Sequence, residues 1–384
     1  MRSRVMPGID RLVSNKGKYN IKDRRAGLIT NATGLNSAGR PTVDILAEMT
    51  RLTRLFAPEH GIRGSLAAGE KFGGGKDDIT GLPVISLYGE QRRPSKDALE
   101  GLDILIFDIQ DAGARFYTYL YTMAYAMEAC AEHNLPMMVL DRPNPVNADT
   151  VQGGILNPDF RSFIGYYPIP QRYGLTIGEC ALMFNQEFGI GCDLTVVPME
   201  NYRRAMYFGD TGLFWVLPSP GLPSAESCIL YPGTCVFEGT NVSEGRGTAK
   251  PFQAIGAPWI DAERLARRMN AMKLPGAFFR PHYFTPSASK HAGEHCKGVE
   301  VHCTDRDVFD PVAAGITLLF VIREDYPEFA FLPPGHEGRK PMIDLNTGSG
   351  DIRLGKKSLE DILDGYARDS SKFAVLKQEY HIYE

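Results

Sequence analysis

Carboxylates recur in four short polar segments of this 384-residue chain, three of them with an arginine. The first is Ala57-Pro58-Glu59-His60-Gly61. The second runs from Asp108 to Arg115 and holds Asp108, Asp111 and Arg115. The third is Asp141-Arg142-Pro143-Asn144-Pro145. The fourth, Phe237 to Thr248, holds Glu238, Asn241, Glu244 and Arg246. A carboxyl hemmed in by apolar neighbours favours its protonated form, which suits a general acid. A second carboxylate and arginine forks close by would suit a glycosidase acting on an anionic sugar. Each group also has a plain structural role open to it. Glu59 could cap the next element, the Asp and Arg neighbours could be scaffolding ion pairs, and the fourth segment could be an exposed hairpin.

What must position these groups is a set of apolar runs. Gly27-Leu28-Ile29 leads into Thr30-Asn31-Ala32-Thr33-Gly34, and Leu52 to Phe56 leads into the Glu59 segment. Asp103 to Phe107 leads into Asp108, and Met137 to Leu140 leads into Asp141. Continuous apolar runs suit strands buried on both faces of a parallel sheet. Open parallel sheets bind ligands beyond the carboxyl ends of their strands. The four strand ends are therefore expected to meet in one site. Helices are expected at Pro41–Met49, Ser95–Gly101 and Tyr117–His133, the last with Met123 and Met127 on a core-facing stripe. Thr176 and Glu179 make a capping box for a helix to about Phe188, and Asp193 to Pro198 reads as a strand.

The segment Leu217 to Ser224 carries three prolines and reads as the approach to a domain boundary. The expected division is residues 1–226, an α/β Rossmann-like parallel sheet with helices on both faces, and residues 227–384, a smaller α+β domain lending a loop to the cleft. In the second part Asp261 caps a helix to Met272. Phe278–Phe284 and Val299–Cys303 read as strands. Asp310-Pro311 opens a helix to about Glu324, and Ser358 and Asp369 are further candidate caps.

Several function classes are disfavoured. Net charge is −4, with no long basic run, so nucleic acid is not an expected partner. No apolar stretch is long enough to span a bilayer, and none near Met1 reads as a signal peptide. Seven scattered cysteines without a C-x-x-C pair fit free thiols in a cytoplasmic setting; the alternative is a secreted or periplasmic protein whose signal has been removed. Gly73-Gly74-Gly75-Lys76 is not a Walker loop, because Glu70 stands where its first glycine belongs and Asp77 follows the lysine. It reads as a mobile surface loop near the site. No G-x-G-x-x-G follows the first strand, so no nucleotide cofactor is expected. His291, His295, Cys296, His302 and Cys303 lack metal-ligand spacing, so no metal is expected. There is no G-x-S-x-G elbow and no activated cysteine.

Five segments carry a resemblance: Glu59-His60-Gly61, Leu87-Tyr88-Gly89, Phe107 to Tyr119, Asp141 to Pro145, and Glu238 to Thr248. Together they resemble the exo-β-N-acetylmuramidases of the NamZ type, from about Gly8 onward. The resemblance implies a cleft between a Rossmann-like domain and a smaller one. It also implies release of N-acetylmuramic acid from the non-reducing ends of peptidoglycan fragments, with Glu59 as the catalytic glutamate. The second carboxylate would be Asp108, Asp111, Glu238 or Glu244. Arg115, Arg142 or Arg246 would hold the lactyl carboxylate, and Tyr117 or Asn144 the hydroxyls or acetamide. His60, Asp141 and Asn241 would complete the sugar pocket. The competing readings are a non-catalytic two-lobed sugar-binding protein and a nucleotide-dependent oxidoreductase.

Overall fold

The computed structural model describes residues 4–63, 73–89 and 91–384. Its larger sheet has seven strands: β1 (Arg25–Thr30), β2 (Arg51–Ala57), β3 (Gly75–Lys76), β4 (Pro83–Ser86), β5 (Ile104–Asp108), β6 (Met137–Leu140) and β7 (Leu194–Val197). The order across the sheet is β3-β4-β2-β1-β5-β6-β7, and only the β3–β4 pairing is antiparallel. The six parallel strands thus follow the doubly wound order, with direction reversing between β1 and β5. Alternate side chains feed opposite layers. Leu28, Leu55, Ile106 and Leu140 pack with Ile9, Leu12, Val43 and Leu46 from helices Gly8–Ser14 and Thr42–Met49. Ile29, Phe56, Phe107 and Val139 pack with Met123, Met127 and Phe184 from helices Tyr119–Glu132 and Ile177–Glu187. Helices therefore cover both faces. The Thr176–Glu179 capping box forms as expected.

Two local expectations change. Gly75 and Lys76 form the edge strand β3 rather than a loose loop, and neither lines the cleft described below. Glu70, the residue that breaks the Walker pattern, lies outside the described residues. Asp369 caps no helix. It sits inside Leu359–Leu376, where its carboxylate accepts a hydrogen bond from the Ile155 N–H at 3.1 Å.

The smaller sheet is antiparallel, with β8 (Ala254–Ala257), β9 (Ala277–Phe284) and β10 (Cys296–Cys303) in the order β8-β10-β9. Leu265, Met269, Ile316 and Leu319, from helices Ala262–Ala271 and Pro311–Asp325, pack with Ile255, Phe279 and Val299 to make its core. Asp261 and Asp310 cap those helices through the N–H groups of Arg264 and Ala313.

The helix Ala225–Thr234 is absent from the sequence expectation because Pro232 lies inside it. The proline is close enough to the C-terminal end for the helix to form around it. Cys228 and Tyr231 enter the first core, whereas Leu230 belongs to the second. Gly233 passes directly over the start of the Pro311 helix; a Cβ there would lie 1.7 Å from the Pro311 carbonyl oxygen. The C-terminal residues return to the first sheet. Phe373 and Tyr380 join its core, and the Lys377 ammonium donates to the Ala148 and Gly174 carbonyls, each at 2.8 Å. No helix among the described residues is long and apolar enough to cross a membrane.

Candidate active site

A cleft of about 660 Å³ opens beyond the carboxyl ends of β2 and β4. On its first-sheet side lie Glu59 and His60 after β2, Tyr88 after β4, and Tyr117 and Thr118 at the head of helix Tyr119–Glu132. Facing them are Ser219, Tyr231, Glu238, Arg246 and Phe252, with His336, Arg339, Lys340 and Met342 from further along the chain. The volume falls within the range of small-molecule sites.

Glu59 is partly exposed to this cleft. The Thr118 hydroxyl donates to its Oε2 at 3.0 Å. The Tyr119 hydroxyl donates to the Pro218 carbonyl at 2.6 Å and lies 3.3 Å from the Glu59 carbonyl, placing the strand end beside the proline-rich segment. His60 is buried with φ +73°, and Gly61 follows at φ +74°. A non-glycine residue in the left-handed region costs energy, and such strain gathers where a side chain must be aimed. Burial, then the adjacent charge of Glu59, pushes the Tyr88 hydroxyl up to about 12, so it stays protonated and able to donate.

Glu238 is the second carboxylate on the cleft wall. It pairs with Arg246 at 2.5 Å, and Arg246 also lies 3.3 Å from Glu244 and over the Phe252 ring at 4.9 Å. Glu244 sits deeper, 2% exposed on its side chain, and is held by Lys290 at 2.7 Å. The fourth polar segment is thus a loop as expected, but a packed one. Thr240, Val242 and Ser243 are buried.

The structure does not bring the remaining sequence candidates to the cleft. Asp108 is buried against Arg142 and the Thr42 hydroxyl, and Arg142 also donates to the Leu35 carbonyl at 2.8 Å. Asp111 accepts from the Tyr173 hydroxyl and the Gly113 N–H, and burial pushes its carboxyl up to about 6. Asp141 accepts from Thr176 at 2.8 Å, the Gly178 N–H at 2.7 Å and Tyr383 at 2.5 Å. Arg115 is wholly buried and donates to the carbonyls of Gly154, Ile169 and Asn346. Asn144 bridges the Leu175 carbonyl and the Val146 N–H, and Asn241 bridges the Glu328 carbonyl and the Ala330 N–H. The physical reason is shared. Backbone groups and charges at the strand ends and in the packed loops must find partners, and these side chains supply them. At the β1/β5 reversal only about 20 Å³ of space remains, between Thr33, Gln110, Arg142 and Phe214. The four strand ends therefore do not share one site; the cleft has moved toward the β2/β4 side.

Sequence reasoning missed Arg92, Arg161, Tyr231, His336, Arg339 and Lys340 on the cleft wall, and gave Tyr88 no role of its own. Tyr88 lay inside a segment that carried the family resemblance. The others sit in polar loops or in the unexpected helix, where no periodicity marks them.

The comparisons with known proteins agree on a family. Residues 26–226 match the description "Exo-beta-N-acetylmuramidase NamZ, N-terminal" and residues 229–383 match its C-terminal counterpart. A peptidoglycan beta-N-acetylmuramidase NamZ of Bacillus subtilis (strain 168) is 48% identical across 99% of this chain and 92% of its own length. A crystal structure of a DUF1343 family protein from Bacteroides fragilis NCTC 9343 superposes with a TM-score of 0.90 at 37% identity, covering all of both chains. A second from the same organism gives 0.77 at 32% identity, covering all of this chain and 99% of that one. With both halves of the family description matched and a relative this similar along nearly its full length, the chain belongs to the exo-β-N-acetylmuramidase NamZ family.

Proposed function

We propose that this protein is a glycoside hydrolase that releases N-acetylmuramic acid from the non-reducing end of peptidoglycan-derived saccharides, with Glu59 as the general acid. The observation that carries the residue assignment is selective exposure. Of the carboxylates singled out in the sequence, Glu59 and Glu238 line the cleft, while Asp108, Asp111, Asp141 and Glu244 are buried on partners of their own. Glu59 protonates the leaving glycosidic oxygen, and Thr118 fixes the rotamer from which it does so. Glu238 is the second carboxylate, oriented by Arg246, and works on the opposite side of the sugar as base or nucleophile. The Tyr88 hydroxyl, kept protonated, is a donor for the acetamide or a ring hydroxyl. All seven cysteines are free thiols and six are buried, which suits a reducing compartment.

Incubation with a muramic-acid-terminated disaccharide tests the reading. The expected products are free N-acetylmuramic acid and the second sugar, resolved by mass spectrometry. Saturable binding without release would make the protein a sugar-binding module instead.

A further inference from the structure

The sugar of the proposed reaction carries a lactyl carboxylate, and something in the cleft must receive it. The three arginines that the sequence suggested are already engaged. Arg115 and Arg142 are buried in the fold, and Arg246 holds Glu238 and Glu244. Four further cations line the cleft: Arg92, Arg161, Arg339 and Lys340. Among the described residues none of these has a carboxylate partner within ion-pair distance. Three are instead steadied on aromatic faces. Arg92 lies 4.3 Å from the Phe163 ring centre, Arg161 lies 5.2 Å from that of Tyr166, and Lys340 lies 3.9 Å from that of Phe160. Stacking of this kind holds a guanidinium in place while leaving its N–H edge for a planar anion.

Position narrows the four to two. Arg92 and Arg339 both act electrostatically on the Tyr88 hydroxyl, the same hydroxyl that interacts with Glu59. Arg92, Arg339, Tyr88 and Glu59 all line the same cleft, and the charges of both arginines reach the tyrosine that Glu59 also acts on. A lactyl group on the ring of a sugar whose anomeric centre meets Glu59 has to project about one sugar width away. Arg92 comes from the segment after β4 and Arg339 from the segment before helix Met342–Thr347. The two halves of the chain thus contribute one cation each.

The geometry assigns the lactyl carboxylate to Arg92 and Arg339, which makes this pair the determinant of muramic acid over N-acetylglucosamine. The assignment rests on the proposed muramidase reaction and adds the receptor for its charged group. A charge-matched fork recognises an ionised carboxylate and gains nothing from the same group as a neutral ester.

The experiment compares a chromogenic N-acetylmuramide with its lactyl methyl ester and with the matching N-acetylglucosaminide. Wild-type protein should favour the free acid in kcat/KM. Arg92→Gln and Arg339→Gln should each lower kcat/KM on the free acid about tenfold, mostly through KM. Turnover of the ester should hardly change, so the preference for the acid collapses. Arg92→Lys should recover part of the loss. Both side chains are exposed, so the variants should melt with the wild type. Equal losses on acid and ester, or an intact preference in both variants, would overturn the assignment. Absence of any sugar release by wild-type protein would instead sink the muramidase reading itself, which keeps the two failures apart.

Discussion

Arg142 grips Asp108 in the interior, with Nε on one carboxylate oxygen and Nη2 on the other at 2.8 Å. The side chains are 6% and 1% exposed. Two residues with the types and spacing of a catalytic pair are thus spent on each other, at the point where the sheet reverses direction. Removing one partner strands a buried charge. Arg142→Met should destabilise the protein by about 3–5 kcal/mol in urea titration. Adding Asp108→Leu to that variant should recover much of the loss, because a dry apolar pair carries no unpaired charge. A double variant no more stable than the single would contradict this account.

Glu59→Gln keeps the size of the side chain and can still accept from Thr118, but it has no proton to give. Its kcat on a chromogenic muramide should fall by about 10²- to 10⁴-fold, with the melting temperature unchanged. Wild-type turnover in this variant would remove Glu59 from the chemistry.

Glu238 and Asp111 offer a contrast between cleft and core. Glu238→Gln should lower kcat by about tenfold or more, since it alters the second carboxylate and loosens Arg246. Asp111→Asn changes a buried group bonded to Tyr173 and Gly113, so its effect should appear in stability, with kcat per folded molecule preserved. Steady-state kinetics on both variants decides between them. The reverse pattern would move the second catalytic role to Asp111.

Stability should also depend on pH through Asp141. Burial pushes its folded-state pKa up to about 7, against an ordinary value of 3.8. Between about pH 4 and pH 7 the folded protein retains a proton that the unfolded chain has released. Stability therefore declines as pH rises through that window and levels off above it. Asp111, pushed up to about 6, acts with the same sign. Asp141→Asn has no such proton, so its melting temperature should fall less than the wild type's between pH 5 and pH 7. An identical slope in the two proteins would rule Asp141 out as the source.

What was legible in the sequence was local or periodic. The Thr176–Glu179 capping box, the Met123–Met127 stripe and the buried strands each follow from a few neighbouring residues. Glu59 stands at the end of an apolar run as Asp108 and Asp141 do, but its strand end opens on the cleft. The error with Asp108, Asp141 and Arg142 has a different origin. Catalytic sites and buried scaffolds use the same residue types, and which one a pair serves depends on strands far apart in sequence. Arg142 meets Leu35 only because β1 lies beside β5. Arg92 and Arg339 lay in polar loops, and only the folded chain sets them in the same cleft as Tyr88 and Glu59. The helix around Pro232 was hidden by the residue that usually ends one.

The return of the C-terminal residues to the first sheet has a consequence for biosynthesis. The strands of that sheet leave the ribosome long before Phe373, Tyr380 and Tyr383 do, yet the first two finish its core and the third meets Asp141. The half made first therefore waits with an open seam while the other half is translated. A nick or frameshift near the end of the message would act on the oldest part of the nascent chain, and chaperone occupancy should be longest on the surface those three side chains later cover.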